Sequence, residues 1–356
     1  MNSVRTASIF MTGMGFLALA GNVSGQSPYE VVMSGLDNPR GLAFAPNEAL
    51  YVAEAGRGGS GPCLTSGSGE KRCYGRTGAI TRLWMGKQSR VVEGLESHAA
   101  PDGSSAAGPN DISFNGVGGA YITMTLGGDE AWKAGLGGTS FGTVIKMAAS
   151  GRWKTVADIL HHEATQNPAG GAVDTNPFGV FAEPGGLFVA DAGGNSLLGV
   201  SPNGAVETLA VFPPLTNPTQ VGPRSVEAVP TAVARGADGA LYVGQLTGFP
   251  FVQGLANIYR VLPGLEPVVH CSGFKAIMDL AFAADGSLYV VENATSALFF
   301  APDTGRLSRV APDCSRTTVL SGLDRPTAVA VGADGAIYVT NHGVKAGAGE
   351  VLKITP

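Results

Sequence analysis

Charged residues are scarce in this sequence. Lysine and arginine together number 23 and aspartate and glutamate 28 among 356 residues, which leaves a formal net charge of −5 at pH 7. No basic cluster stands out, and nucleic-acid binding requires Lys and Arg patches that displace counterions from phosphates. With 44% hydrophobic residues, the chain can bury a large core, which a disordered chain cannot do. Nucleic-acid binding and disorder are therefore excluded.

Long hydrophobic runs are also missing. The early apolar stretch Ile9–Ala20 is short for a bilayer, and no later stretch approaches the roughly eighteen apolar residues of a membrane span. Arg5 before this stretch and the small residues Val23 and Gly25 after it are typical of a secretory signal peptide. We therefore expect a signal peptide over residues 1–25 and export of the mature protein, to the periplasm or the medium, without a membrane span. A buried N-terminal strand or helix is the less favoured alternative.

Cysteine is limited to four residues. Cys63 and Cys73 lie in a glycine-rich loop with nine residues between them. In an exported chain this spacing predicts a disulfide, which stabilises by about 2–3 kcal/mol on the chain-entropy model. Zinc is the competing interpretation, but neither a C-x-x-C pair nor nearby histidines accompany these cysteines. For Cys271 and Cys314, a disulfide and a pair of free buried thiols are equally open.

Glycine, in contrast, is abundant at 53 residues, and it accompanies an internal repeat. Six segments share a turn, an apolar strand, a glycine-centred turn and a second strand that carries an aromatic residue. The segments begin at Pro39, Pro109, Pro177, Pro230, Met278 and Pro326. Their aromatic residues are Tyr51, Tyr121, Phe188, Tyr242, Tyr289 and Tyr338. In the third strand that follows, five of the six segments carry a basic residue at the same position: Arg82, Lys146, Arg260, Arg309 and Lys353.

Four short strands per repeat, six times over and without helical periodicity, predict an all-β six-bladed β-propeller. The last repeat has no fourth strand after Ile354, whereas Tyr29–Met33 has the pattern of a strand and precedes the first repeat. We expect these two ends of the chain to pair, because this closes the ring and leaves no unpaired sheet edge. Residues 26–356 would then form a single domain.

Loop lengths distinguish the two faces of the predicted disc. Connections from the first to the second strand and from the third to the fourth lie on one face, and they are short turns. Connections from the second to the third strand and from the fourth to the next first strand lie on the other face, and nearly all the long segments belong there. Long loops on a rigid scaffold are usually functional. The sequence therefore predicts a binding surface on the loop-rich face.

Polar side chains collect on this same face. Those at the starts of the innermost strands, which we expect to ring the central channel, are Arg40, Asn110, Asp111 and Asp279. Those at or just after the ends of the second strands are Glu54, Asp191, Asn195, Gln245, Glu292, Asn293, Asn341 and His342. Oxygen ligands that converge on a propeller axis suit Ca²⁺, and the candidate ligands are Asn110, Asp111, Asp191 and Asn293. The alternative is that such residues only cap turns at strand ends.

Two apparent catalytic motifs carry no assignment. Gly138–Gly142 matches G-x-S-x-G, but it leads into a third strand instead of connecting a strand to a helix, as a nucleophile elbow does. His161–Glu163 lacks the spacing of a zinc protease helix. Catalytic residues therefore stay unassigned.

Several segments together resemble the ScyD/ScyE family. The most specific are Val189–Asn195 (VADAGGN) and Tyr242–Phe251 (YVGQLTGFPF), and the resemblance extends over essentially the whole mature chain. That family comprises exported bacterial proteins similar to NHL-type propellers and is named from members linked to scytonemin pigment biosynthesis in cyanobacteria. The resemblance implies an exported six-bladed propeller with a role in secondary-metabolite or envelope processes, and it implies no catalytic residue.

A more distant likeness is to calcium-dependent lactonases of the gluconolactonase and paraoxonase kind. Gly108–Asp111 (GPND) is similar to the P-N-D segment that lines their active site. In such an enzyme Ca²⁺ acts as a Lewis acid on the lactone carbonyl. Those enzymes also carry a carboxylate at the start of an early inner strand, where this chain has Asn38–Gly41. Arg40 in that segment would repel a cation and is suited to clamping an anionic substrate.

Two function classes follow. The favoured one is binding of a small molecule, a glycan or a protein partner on the loop-rich face. The alternative is a calcium-dependent lactonase or esterase that acts outside the cytoplasm.

Overall fold

The computed structural model describes residues 28–66, 69–116 and 119–355, so the expected signal peptide lies outside the described residues. Its strands form six four-stranded blades. Blade 1 contains β2 (Pro39–Phe44), β3 (Leu50–Glu54), β5 (Lys71–Trp84) and β6 (Lys87–Ala99). Blade 2 contains β7 (Pro109–Phe114), β8 (Ala120–Met124), β9 (Thr143–Met147) and β10 (Trp153–Asp158). Blade 3 contains β11 (Pro177–Glu183), β12 (Gly186–Asp191), β13 (Ser196–Val200) and β14 (Val206–Val211).

The other half of the ring repeats this order of strands. Blade 4 contains β17 (Pro230–Arg235), β18 (Leu241–Gln245), β19 (Ala256–Val261) and β20 (Val268–Phe274), blade 5 contains β21 (Ile277–Phe282), β22 (Leu288–Glu292), β23 (Gly305–Val310) and β24 (Arg316–Leu323), and blade 6 contains β25 (Val329–Val331), β26 (Ile337–Asn341), β27 (Gly349–Ile354) and β1 (Glu30–Leu36). Strand β4 (Cys63–Thr65) pairs with β5 and extends the sheet of blade 1. The described elements outside the blades are β15 (Leu215–Thr216), β16 (Ser225–Val226), α1 (Glu130–Leu136) and α2 (Ile159–Gln166). The predicted six-bladed β-propeller is confirmed.

The ring closes through blade 6. Strand β1, near the start of the chain, runs antiparallel to β27 at its end, with Glu30 opposite Lys353 and Leu36 opposite Gly349. Hydrogen bonding continues from blade 6 to blade 1, because the Thr327 hydroxyl donates to the Pro39 carbonyl at 2.8 Å. The predicted pairing of the two ends is therefore confirmed.

The core of the molecule lies between the blades. Six buried clusters of aliphatic and aromatic side chains each fill the space between two neighbouring blades. The aromatic residue of the repeat takes part: the Tyr51 ring lies 5.0 Å from Phe114 of the next blade, and Tyr242 lies 5.0 Å from Phe282. Such pairs contribute beyond their buried area, by about 0.5–1.5 kcal/mol each. One repeated aromatic position therefore joins one blade to the next.

The basic position of the repeat has a local explanation. In blade 6, Tyr338 stands directly opposite Lys353 in the sheet, and the Lys353 ammonium lies 5.5 Å above the tyrosine ring. In blade 2, Tyr121 and Lys146 are paired in the same way, at 5.0 Å. A cation over an aromatic face contributes about 0.5–1 kcal/mol at an exposed site. The five basic residues are thus part of the sheet's cross-strand pairing.

Two disulfides reinforce the scaffold. Cys63 in β4 and Cys73 in β5 are directly opposite each other and bonded, which confirms the predicted pair. They pin the loop of blade 1 that precedes β5 on the loop-rich face. The second disulfide joins Cys271 of blade 4 to Cys314 in a turn of blade 5, which settles the alternative that the sequence left open. Among the described residues no helix has the length and hydropathy of a membrane span.

We predict that a chain beginning at Asp37 unfolds at a lower temperature than one beginning at Pro28, or aggregates. The shorter chain lacks β1, so the backbone of β27 becomes an unpaired sheet edge and Met33 and Leu36 are lost from the core. Thermal melts by circular dichroism and size-exclusion chromatography on the two chains test this. Equal melting temperatures would show that ring closure contributes nothing to stability.

Candidate functional site

The starts of the innermost strands meet at a narrow central channel. Its lining includes Arg40 from blade 1, Asn110 and Asp111 from blade 2, and Asp279 from blade 5. The structure thus brings together the four residues that the sequence places around the axis. The free volume is about 10 Å³, room for about one water molecule. Binding of anything larger must therefore take place above the channel.

Asp111 and Asp279 come from blades on opposite sides of the ring. Asp111 Oδ2 accepts a hydrogen bond from the backbone N–H of Val180 at 2.7 Å, and Asp279 Oδ2 accepts one from Val329 at 2.9 Å. Each carboxylate therefore ties its own blade to the next. Burial raises the pKa of Asp111 to about 7. Burial, followed by the charge of Asp111, raises the pKa of Asp279 well above its ordinary value.

Arg40 differs from the other polar residues of the channel. Its guanidinium donates from Nη2 to the carbonyl of Ala106 at 2.6 Å, and no carboxylate of the described residues forms an ion pair with it. Burial, together with the nearby Arg72, lowers its pKa to about 10, so it stays charged at neutral pH. Arg90 and Arg306, in contrast, each pair with a buried glutamate. Arg40 is therefore a partly buried cation with unused donors.

Above the channel the long loops enclose a cleft of about 280 Å³. Arg40 and Phe178 line both the cleft and the channel, so the cleft opens over the axis. Arg72, His98 and Trp132 form part of its wall. Arg72 is the second residue of β5 and precedes the disulfide-bonded Cys73, whereas Trp132 lies on α1.

Two ring nitrogens beside the cleft have no partner. His98 Nε2 lies 3.1 Å from the Leu126 carbonyl, so it carries the proton and Nδ1 is an acceptor. His98 Nδ1 and Trp132 Nε1 are both buried and without a hydrogen bond. Burial lowers the pKa of His98 to about 4, so the ring is neutral at pH 7. The sequence did not mark either residue, because both lie outside the repeated positions.

The polar side chains at the ends of the second strands accept hydrogen bonds from nearby backbone N–H groups, mostly in the segment that leads into the same blade. Glu54 accepts from the backbone N–H of Asp37 at 2.7 Å, and Glu292 accepts from that of Lys275 at 2.9 Å. The corresponding acceptors and donors in other blades are Asp191 with Asn176 at 2.6 Å, Asn341 with Asp324 at 2.9 Å, and Gln245 with Asn257 at 3.0 Å. These side chains are buried, and their contacts are those of the capping alternative.

The remaining predicted residues are also engaged. Asn195 Oδ1 accepts from Val229 N–H at 3.0 Å, Asn110 Nδ2 donates to the Phe178 carbonyl at 3.0 Å, Asn293 Nδ2 donates to the Pro326 carbonyl at 3.0 Å, and His342 Nδ1 lies 3.1 Å from Asp324 Oδ2. Among the four candidate calcium ligands, Asp111 faces Asp279 in the channel, whereas Asp191 has Thr175 and Asn176 as partners. Asp111 and Asp191 thus have different neighbours. Calcium binding by the four candidate ligands stays a prediction.

One compact group of potential metal ligands occurs in the described part of the chain. It consists of His270, Cys271 and Cys314, whose ligand atoms lie within 4.8 Å of one another. Because the two sulfurs form a disulfide, they offer no thiolate to a metal.

Comparison with known proteins places the fold. No protein-family model matches the chain, and no curated protein matches its sequence. Similar solved structures include a Bacteroides thetaiotaomicron protein of unknown function, with a TM-score of 0.56 and 10% identity over 91% of this chain and 71% of that one. Another is the PQQ-bound aldose sugar dehydrogenase of Streptomyces coelicolor, with a TM-score of 0.52 and 17% identity over 91% and 96% of the two chains.

A third similar structure is a candidate gluconolactonase, with a TM-score of 0.53 and 12% identity over 91% of each chain. At these identities the likeness shows the fold alone. The structural neighbours are six-bladed β-propeller proteins, which agrees with the six blades seen here.

We predict that the protein loses stability between pH 5 and pH 8 and that Asp111→Asn reduces this loss. The raised pKa means that the folded state holds a proton which the unfolded state releases, so the stabilising contribution is lost as the pH rises through about 7. Melting temperatures of the wild type and the variant across this range test the slope. Asp313→Asn, in an exposed turn, is the control. An unchanged slope in D111N would contradict the prediction.

Proposed function

We propose that this protein is an exported propeller that binds a small anionic molecule, most simply a carboxylate, in the cleft over its central channel. The observation that supports it is Arg40, a partly buried guanidinium whose partner is one backbone carbonyl and which has no carboxylate partner among the described residues. Removing a charge from water is costly unless the charge is paired. A ligand carboxylate would provide that pairing, and a guanidinium binds it through two parallel hydrogen bonds.

The cleft offers further recognition beside the charge. His98 Nδ1 and Trp132 Nε1 are buried behind the cleft wall and have no hydrogen-bond partner among the described residues. A movement of either ring would offer an acceptor or a donor to a ligand, and such groups fix its orientation. The cleft volume of about 280 Å³ is near the lower end of small-molecule sites. The size favours a small molecule over a glycan or a protein partner.

Membership of the ScyD/ScyE family is part of the same proposal. It is supported by the segments Val189–Asn195 and Tyr242–Phe251 together with a fold that is similar to NHL-type propellers. Export is supported by the pattern of the first 25 residues and is compatible with two disulfides. A role in secondary-metabolite or envelope processes would follow from that membership.

A calcium-dependent lactonase is the second candidate, because opening a lactone produces a carboxylate that Arg40 is placed to hold. Of the four predicted calcium ligands, Asn110 and Asp111 line the channel and would hold the ion there, whereas Asp191 and Asn293 are not part of that lining. Bound Ca²⁺ would polarise the lactone carbonyl.

We predict that Arg40→Gln weakens binding of small carboxylates at least about tenfold, since a hydrogen bond to a charged group contributes about 1.5–3 kcal/mol. Calorimetric titration with benzoate and gluconate, and with the neutral compounds benzamide and glucose, tests this. Arg152→Gln, at an exposed turn of the opposite face, is the matched control. Equal affinity for the neutral compounds, or full affinity in R40Q, would contradict the proposal.

We predict, for the second candidate, that γ- and δ-lactones are hydrolysed only when Ca²⁺ is present and that Asp111→Asn abolishes the activity. The pH of an unbuffered reaction reports acid release directly. Carboxylate binding without any lactone turnover, with or without Ca²⁺, would leave the binding function and reject the enzyme.

A further inference from the structure

Three carboxylates outside the channel surround one glycine turn. A methyl group on Gly194 would lie 2.9 Å from Glu163 Oε2 and 3.0 Å from Asp191 Oδ2. A methyl group on the preceding Gly193 would lie 2.9 Å from both Asp174 Oδ1 and the Asp174 carbonyl oxygen. We call Glu163, Asp174 and Asp191 the acidic triad. It joins α2, the loop after it and the end of β12.

Two members of the triad have unused oxygens. Glu163 is only 3% exposed, and its carboxylate receives no hydrogen bond from the described residues. Asp174 Oδ1 is buried and has no partner. Asp191 differs, because Thr175 Oγ1 donates to it at 2.6 Å and three backbone N–H groups also donate to it. A buried carboxylate oxygen without a donor is costly. Asp174 Oδ1 is such an oxygen among the described residues, and together with the unbonded Glu163 side chain it points to a missing positive partner.

Nothing basic in the described chain neutralises the triad. No Lys or Arg forms an ion pair with any of its members, and further negative charge comes from Glu227 and Asp129 near Asp174. Burial, then Asp191 and Asp174, raises the pKa of Glu163 to about 7. Burial, then Asp191, raises the pKa of Asp174 to about 6. The triad therefore has no positive partner among the described residues, and a cation would supply one.

We propose that the acidic triad binds one calcium ion. Its potential metal ligands are carboxylate oxygens and one backbone carbonyl oxygen. Hard divalent cations bind such oxygens, whereas zinc prefers nitrogen and sulfur ligands, which this group does not offer. The ligand atoms of the three carboxylates are not all within 4.8 Å of one another, so a bound ion would have to draw them closer together. Calcium tolerates such adjustable, irregular geometry, whereas magnesium requires a near-ideal octahedron.

A bound ion would stabilise the loop-rich face. The loop between α2 and β11 carries Asp174, and its neighbour Thr175 pairs with Gly128 in the loop after β8. An ion that links Asp174 to Asp191 therefore fixes this loop against blade 3. The acidic triad shares no residue with the lining of the Arg40 cleft, so either proposal can fail while the other stands.

The test is calcium titration of the mature protein after treatment with EDTA. We expect one ion per chain by calorimetry, and at a hundredfold excess over Kd a rise in melting temperature of about 5 °C. Magnesium should produce a smaller rise. Glu163→Gln and Asp174→Asn should each weaken calcium binding at least about tenfold, because each removes a charged ligand. Asp303→Asn, exposed on the same face, should bind calcium like the wild type.

Three results would overturn the proposal. The first is the absence of both binding heat and thermal shift at millimolar calcium. The second is calcium binding that Asp111→Asn abolishes and E163Q and D174N leave intact, since the ion would then occupy the channel. The third is a protein that does not respond to calcium at pH 8 and whose gain in stability on acidification from pH 8 to pH 5 is reduced by E163Q and D174N, because protons alone would then neutralise the triad.

Discussion

The antiparallel pairing of β1 with β27 is the interaction on which the rest of the structure depends. Each hydrophobic cluster lies between two neighbouring blades, so a blade contributes to stability only when both of its neighbours are present. An open ring would leave one such interface without a partner and one sheet edge exposed. The same closure creates the channel, because side chains from blades 1, 2 and 5 approach one another only when the ring is complete.

Closure also explains why most polar residues near the axis are already engaged. Asp111, Asp279 and Thr231 each form a hydrogen bond to the backbone of the following blade. These side chains thus provide hydrogen bonds to backbone groups that the curvature of the ring leaves unpaired. Buried polar groups need such partners. Gly41 belongs to the same arrangement, since a Cβ there would lie 2.2 Å from Asp111 Oδ1. Function is better sought where the bonding capacity is not used up, and Arg40 is such a place.

The repeat made most of the fold predictable. Strands, turns, the aromatic position and the split sixth blade follow from short-range periodicity, and Cys63 and Cys73 lie close in sequence. Cys271 and Cys314 could not be paired in advance, because their contact joins two blades. The second-strand acids were marked as site candidates because they recur, yet Glu54 and Glu292 recur for the sake of backbone capping. His98 lies near the end of β6, Trp132 on α1 and Asp174 in the loop after α2. All three are outside the repeated positions, where no periodicity indicates which side chains come together.

Opposite charges divide the loop-rich face into two neighbouring regions, and one short segment connects them. Asp174 belongs to the acidic triad, Thr175 bonds to Asp191, and Asn176 lines the cleft that contains Arg40. Thr175 also exchanges backbone hydrogen bonds with Gly128, close to the start of α1 and Trp132. A cation at the triad would therefore hold in place the segment that forms one wall of the anion cleft. Because preorganised groups bind more tightly than mobile ones, an ion at the first site would strengthen ligand binding at the second without touching the ligand.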